Sequence, residues 1–475
     1  MSKEFRLVKG FVPIDDAKDL LEFLKPDINM ISDTTTLKRK TSLLRLYEIF
    51  VTHSFQFQQN ILCQTLLSIH KQLFMGLFDS NDKCKELVLE ILIELFKKAG
   101  DFTLTLDHLI PILVDKLGAK NIEGTEHLPE DVKPSPSQAP HLVKNPPEKS
   151  EEVRKKIANL VNVIVTLTPT ESLRFIINDL VNILRCLAMD PCAEIIEEGC
   201  YCIINISKTA TEILFHFSEI LGRSLFAALV HKHSKIRIIG LEALRNVMYI
   251  GAYKYNMDII HHLVGFRDPN LVPIKDFYEP SIKYNYFAHF VKDSNNAVRS
   301  AFYKVIIDWL KNLPDKRDLE GSLVPYLLSG LFDGIEDIEK MVYEQMEEIG
   351  KIYEIENEKD LRDAKQWDFQ SPWTQEGIMA NLPLPAPFER RPRLGCRIII
   401  RNYVRRFIIA ICKELDDWIE DTRERAVNLL LCTIVYTEDF LTQYFDKIML
   451  PLFKIVMTTS NKLIKNKLPI CMRLL

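Results

Sequence analysis

EEVRKKIANLV (151–161), CAEIIEEGCYCI (192–203), HSKIRIIGLEAL (233–244), NNAVRSAFYKVI (295–306) and IEDIEKMVYEQM (335–346) are one helical phrase written five times. Aligned on Val153, Ile195, Ile236, Val298 and Ile338, the copies fall 42, 41, 62 and 40 residues apart, and EDTRERAVNLLL (420–431) sets Thr422 a further 84 beyond Ile338. A two-helix unit that recurs at about 40–47 residues cannot bury its apolar face alone, so neighbouring units stack to share one core. The step of 62 then holds one unit plus about half a unit of inserted chain.

Cys84, Leu87, Val88, Ile91, Leu92 and Leu95 show how such a unit is written. Their spacing is that of one buried helix face. Lys97, Lys98 and Gly100 then stop the helix, the cations suiting its negative end and the glycine a left-handed cap. Val153, Ile157, Leu160, Val161 and Ile164 repeat the stripe, and Gly251 and Gly350 are expected to close later helices. In the helices that precede, LIPIL (109–113), LVPYL (323–327) and MLPLF (449–453) each carry an internal proline. Such a proline removes a backbone bond and kinks the helix at a cost of about 3 kcal/mol, so three in similar surroundings form a pattern. With the Val153-Arg154 and Val298-Arg299 openings, it selects HEAT repeats among the two-helix arrays. The expected fold is all-α, a single HEAT/armadillo-like α-solenoid over 1–475, of about eight helix pairs with three inserted loops.

The insertions are 119–150, rich in proline and without an apolar period; 261–280, punctuated by aromatics and prolines; and 360–394, which mixes Trp367 and Trp373 with a proline-rich run. The first reads as exposed and mobile, the other two as pinned to the helices. The closing NKLIKNKLPICMRLL (461–475) reads as a helix broken at Pro469 that stops on apolar Leu474 and Leu475. It is expected to be followed by more chain or covered by a partner.

Lys and Arg total 61 against 65 Asp and Glu, a net charge of −4, which gives no global pull toward nucleic acid or an anionic membrane. The ten cysteines sit mostly inside apolar helical stretches, the pattern of reduced thiols in an intracellular protein. No run of about 18 apolar residues is expected to cross a bilayer, and the N-terminus has no apolar leader core. A cytoplasmic protein with no membrane or nucleic-acid partner is the expectation.

Little in the chain carries chemistry. Cys186, Cys192, Cys200 and Cys202 lie within 17 residues, but only Cys200 and Cys202 are close, and buried helix cysteines are the better reading. His231 with His233, and His261 with His262, lack the spacing of a helical zinc pair. There is no GxxxxGK[ST], GxGxxG, HRD/DFG set or GxSxG elbow, so neither an enzyme nor a cofactor is expected. Trp309 reads as core.

The sharpest electrostatic feature is ERRPRLGCRIIIRNYVRRF (389–407), with Arg390, Arg391, Arg393, Arg397, Arg401, Arg405 and Arg406. Arg397, Arg401 and Arg405 form one helical ridge able to grip an acidic tail or phosphate. The competing reading, which weighs slightly more, is internal neutralisation by acids such as Glu414, Asp416 and Asp417. Phe266, Arg267, Lys275 and Tyr278 of the second insertion join the arginines as candidate partner contacts, because edge loops are the usual binding devices of helical stacks.

Three phrases, GFRDPNLVPIKDFYEPSIKYNYFAHF (265–290), VRSAFYKVIIDWLKNLPDKRDLEGSLVPYLLSGLFDG (298–334) and NLPLPAPFERRPRLGCR (381–397), resemble the HEAT-repeat family of axonemal dynein assembly factors, best over about 150–455. Members of that family are longer. The resemblance implies a non-enzymatic cytoplasmic factor that helps dynein heavy and intermediate chains fold and assemble with chaperones and co-chaperones, before transport into the cilium or flagellum. The alternatives are a tubulin-binding HEAT array, which would carry Trp and Lys in its tight turns where FDSNDK (78–83) and VKDSNN (291–296) have no Trp, and a transport-receptor scaffold.

Overall fold

A computed structural model describes residues 16–52, 57–119, 146–251, 255–264, 285–368 and 384–475. Its helices are α1 Ala17–Met30, α2 Thr36–Tyr47, α3 Gln59–Met75, α4 Asp82–Ala99, α5 Thr103–Leu117, α6 Glu151–Leu167, α7 Thr170–Ala188, α8 Ala193–Thr209, the short α9 Thr211–Leu214, α10 Ser218–Ser224 and α11 Phe226–Leu229, and α12 Ser234–Ile250. There follow α13 Asn256–Val264, α14 Tyr286–Val291, α15 Asn296–Asn312, α16 Lys316–Ser329, α17 Glu336–Glu356, α18 Arg362–Asp368, α19 Leu394–Leu415, α20 Glu420–Thr437, α21 Phe445–Thr458 and α22 Lys462–Leu474. No strand occurs among the described residues. The chain forms two compact units, Met1–Gly251 and Ala252–Leu475.

In the first unit the second helix of each pair packs on the next, α2 on α4, α4 on α6, α6 on α8 and α8 on α12, while α1, α3, α5 and α7 form the other layer. In the second, α15 packs on α17, α17 on α19, α19 on α20 and α20 on α22. The aligned residues Val153, Ile195, Ile236, Val298, Ile338 and Thr422 are each the third residue of their helix. All but Thr422 are buried. Pro111, Pro325 and Pro451 lie inside α5, α16 and α21, and Pro26 inside α1. The repeat architecture read from the sequence is the one observed.

The turns explain why the pairs stack in register. An acid three residues before the second helix accepts from the N–H two residues on, as Asp33 does from Thr35 at 2.8 Å, Asp190 from Cys192 at 2.8 Å and Asp293 from Asn295 at 2.9 Å. Six residues after that acid, a base on the first helical turn donates back to its carbonyl: Arg154 Nη1 to Glu148 O at 3.0 Å, Arg299 Nη1 to Asp293 O at 2.8 Å. The same guanidinium reaches forward to the acid of the next turn, pairing Arg39 with Asp79 at 2.6 Å, Arg154 with Asp190 at 2.8 Å and Arg299 with Asp333 at 2.7 Å. Lys85 takes this role toward Glu148 at 2.8 Å. One rung is missing in the first unit. Ile196 stands at the base's position in α8, and His231 stands at the acid's position before α12, its Nδ1 still accepting from the N–H of His233 at 3.1 Å.

Three details depart from the sequence reading. Gly350 does not close α17, which runs on to Glu356; it meets Gly395 of α19, where a Cβ on Gly395 would lie 2.1 Å from the Gly350 carbonyl oxygen. Only glycines let the two backbones touch. Residues 59–78 are long and apolar enough to cross a membrane, contrary to expectation. Leu62, Leu66, Ile69, Leu73 and Phe74 on that stretch are buried as α3 packs on α1, α4 and α5. Finally, α22 continues through Pro469.

Of the insertions, 120–145, 265–284 and 369–383 lie outside the described residues. What is described at their margins is held: Glu148 is buried on Lys85, residues 261–264 finish α13, and the Phe388 ring sits edge-on to Tyr343 and Tyr436.

Candidate functional site

The arginine run divides into a buried and an exposed set. Glu438, which ends α20, is 5% exposed and collects Arg391 at 2.5 Å, Arg401 at 2.9 Å and Arg397 at 3.1 Å. Arg397 is 2% exposed and also donates to the carbonyl of Pro392 at 2.9 Å, and Arg401 donates to that of Thr437 at 3.1 Å. Glu438 has φ of 53° with ψ of −135°, a backbone shape that favours glycine, and is the one non-glycine residue with positive φ among those described. Three guanidinium groups on one carboxylate hold it there. Burial, with Arg397 and Arg391 close by, pulls the pKa of Arg401 below the ordinary arginine value despite Glu438.

Internal neutralisation is thus the geometry of these three, although the acceptor is Glu438 and not Glu414, Asp416 or Asp417. Arg393 pairs with Glu354 at 3.1 Å and Arg390 approaches Glu347 at 3.8 Å. The guanidinium of Arg406 stands 5.4 Å over the Tyr403 ring, and Arg405 is exposed. Of the ridge Arg397, Arg401 and Arg405, the first is buried, the second is 23% exposed and bonded to Glu438, and the third faces solvent. Phe266, Arg267, Lys275 and Tyr278 lie outside the described residues.

The second unit contains a groove of about 610 Å³ that the sequence did not announce. The proline-bearing α16 supplies Pro325 and Tyr326 to one wall, α15 supplies Arg299 and Tyr303, and the α19–α20 hairpin supplies the other wall through Glu414 and Asp421. Gly321 lets α19 approach α16, since a Cβ there would strike Tyr403 at 2.9 Å, and the Tyr403 hydroxyl donates to the carbonyl of Arg317 at 2.8 Å. Tyr326 packs edge-on against Phe287 and its hydroxyl accepts from Asn285 at 2.8 Å. Burial pushes its pKa up to about 12. Tyr303 is fully buried, and burial raises its pKa while the Ser329 side chain beside its hydroxyl opposes the rise.

Carboxylates outnumber cations around the groove. Asp293, Asp333, Glu414, Asp421 and Glu424 face Lys292, Arg299 and Arg425, and Arg299 is committed to Asp333. Glu414 is itself exposed, yet desolvation by its neighbours raises its carboxyl above the usual value, with Lys292 opposing the rise and Asp417 adding to it. Between Glu414 and Asp421 the chain turns through Trp418, whose side chain is 87% exposed. Turns of this array therefore do carry a tryptophan, at 416–419.

No group of three or more His, Cys, Asp or Glu side chains able to hold a metal occurs among the described residues. Cys186, Cys200 and Cys202 are buried in α7 and α8, and burial pushes the Cys186 and Cys200 thiols up to about 12. Trp309 is core, stacked on Phe287.

Two family models match the chain: one described as dynein axonemal assembly factor 5-like, TPR repeats, over residues 30–132, 139–265 and 284–364, and one described as the HEAT-repeat domain of dynein axonemal assembly factor 5, over 384–474. Among curated proteins, dynein axonemal assembly factor 5 of Xenopus laevis is 24% identical over 448 residues, 94% of this chain and 46% of that protein. The Homo sapiens protein of the same name is 29% identical over 66% of this chain and 33% of its own length, and that of Mus musculus 30% over 65% and 32%. The chain spans half or less of the relatives it matches.

Proposed function

This chain belongs to the dynein axonemal assembly factor 5 family, and from that premise we propose that it is a non-enzymatic cytoplasmic scaffold for the folding and preassembly of axonemal dynein arms, required for motility of the cilium or flagellum. The supporting observation is that family likeness covers nearly every described helix, turns included. The helix pairs act by stoichiometric binding: they hold dynein heavy and intermediate chains beside chaperones or co-chaperones, with no covalent step and no cofactor. The exposed Arg390, Arg393, Arg405 and Arg406 are available to such partners, while Arg391, Arg397 and Arg401 keep the end of α20 in shape. Phe266, Arg267, Lys275 and Tyr278 belong to the same proposal as loop contacts.

Affinity capture from ciliated or flagellated cells tests it. Recovery of dynein arm chains with chaperones is expected, and capture of tubulin or transport cargo alone would overturn it. A tubulin-binding array is the second reading, favoured by the exposed Trp418 in a tight turn.

A further inference from the structure

We propose that the groove of the second unit, from Lys292 through Tyr303 and Tyr326 to Asp421, receives an extended lysine- or arginine-bearing segment of a protein partner, with Trp418, in the turn between the lining residues Glu414 and Asp421, stacking on one of its cationic side chains. Four observations converge on this occupant. The cavity is large enough for several side chains, about 610 Å³. Its lining carries more carboxylates than cations, and two of the surplus, Glu414 and Asp421, flank the turn that bears Trp418. The buried Tyr303 on the wall adds a phenol hydroxyl beside Ser329, able to accept from an entering ammonium or guanidinium group. A tryptophan 87% exposed beside Asp417 and Glu420 matches the way aromatic faces and carboxylates together bind cations.

The electrostatics agree with a cationic guest. Glu414 is solvent-accessible, and its carboxyl, beside the like-charged Asp417, gains from an incoming positive charge. Asp416 is already held by Lys454 at 2.7 Å and does not compete. The site needs no particular client, so it stands apart from the assembly role.

The experiment is fluorescence anisotropy of a labelled (Gly-Arg)4 peptide against the full chain, with (Gly-Glu)4 as the matched control. Saturable binding of the cationic peptide alone is expected, weakened roughly ten-fold by Trp418→Ala and by Glu414→Gln, with helical circular dichroism unchanged. The paired change Glu151→Gln with Glu152→Gln, on exposed acids of the first unit, should leave binding as it was. Absent binding, equal binding of the acidic peptide, or an equal loss in that remote variant would each overturn the proposal.

Discussion

Arg154 and Asp190 meet edge to edge, Nε to Oδ2 at 2.8 Å and Nη2 to Oδ1 at 3.1 Å, with side chains only 3% and 4% exposed. They come from consecutive helix pairs, so the contact ties two repeats and not one helix to itself. Removing one partner strands a buried charge. Arg154→Ala should therefore cost about 3–5 kcal/mol in urea denaturation, and a loss under about 1 kcal/mol would mean the rung does not hold the stack.

Glu438 should be intolerant for two opposed reasons. Glu438→Gly relieves a backbone strain worth about 1 kcal/mol yet leaves Arg391, Arg397 and Arg401 without their carboxylate, so a net loss of about 3 kcal/mol is expected. Reversing charge separates the arginines: Arg397→Glu should prevent folding, whereas Arg405→Glu, on an exposed residue, should shift stability by less than about 0.5 kcal/mol. Thermal melts of the two variants check both statements.

His231 gives the first unit a defined acid sensitivity. Burial, with His233 and the cations Lys232 and Arg237 nearby, lowers its pKa from 6.5 to about 4 in the fold. The unfolded chain thus takes up the proton first. Its contribution is complete above pH 6.5 and fades as pH falls toward 4, by about 1–2 kcal/mol after solvent screening. Comparing urea midpoints at pH 7 and pH 5 for the native chain and His231→Asn should show a smaller drop in the variant; parallel drops would refute the assignment.

Thiol chemistry offers a simple readout of burial. Cys63 and Cys192 are half-buried and the other eight cysteines are buried. Two thiols should react with a disulfide reagent in the native chain and ten after denaturation, because buried thiols stay protonated and out of reach.

At the α17–α19 crossing, Gly395→Ala must push two backbones apart. A destabilisation of at least about 2 kcal/mol is expected by chemical denaturation, while Gly334→Ala, whose Cβ would meet nothing within 4 Å, should show only the smaller penalty of its positive φ, 89°.

The sequence announced the repeat because burial imposes a period: Val153, Ile195, Ile236, Val298 and Ile338 are third residues of their helices, and a helix start is a local event. The kinking prolines were legible for the same reason. Glu438 was not, since its role depends on three arginines lying 37 to 47 residues earlier. The rungs were half visible. Asp33 with Arg39, Asp293 with Arg299 and Asp417 with Arg423 repeat a spacing of six that could have been counted, but their forward partners could not. Gly350 looked like a stop because a glycine that caps and one that permits a crossing are spelled alike. The groove escaped entirely, as its walls come from residues over a hundred positions apart.

The missing rung at Ile196 and His231 marks where the chain can be dissected. Among the described residues, severing α1–α8 from the later helices breaks the pair of Glu197 and Lys235 at 2.7 Å but no rung of the acid–base ladder. A cut one pair earlier would divorce Arg154 from Asp190. Shortened versions of this protein should accordingly be made with their boundary near Ala210, where the ladder of guanidinium–carboxylate rungs is already interrupted.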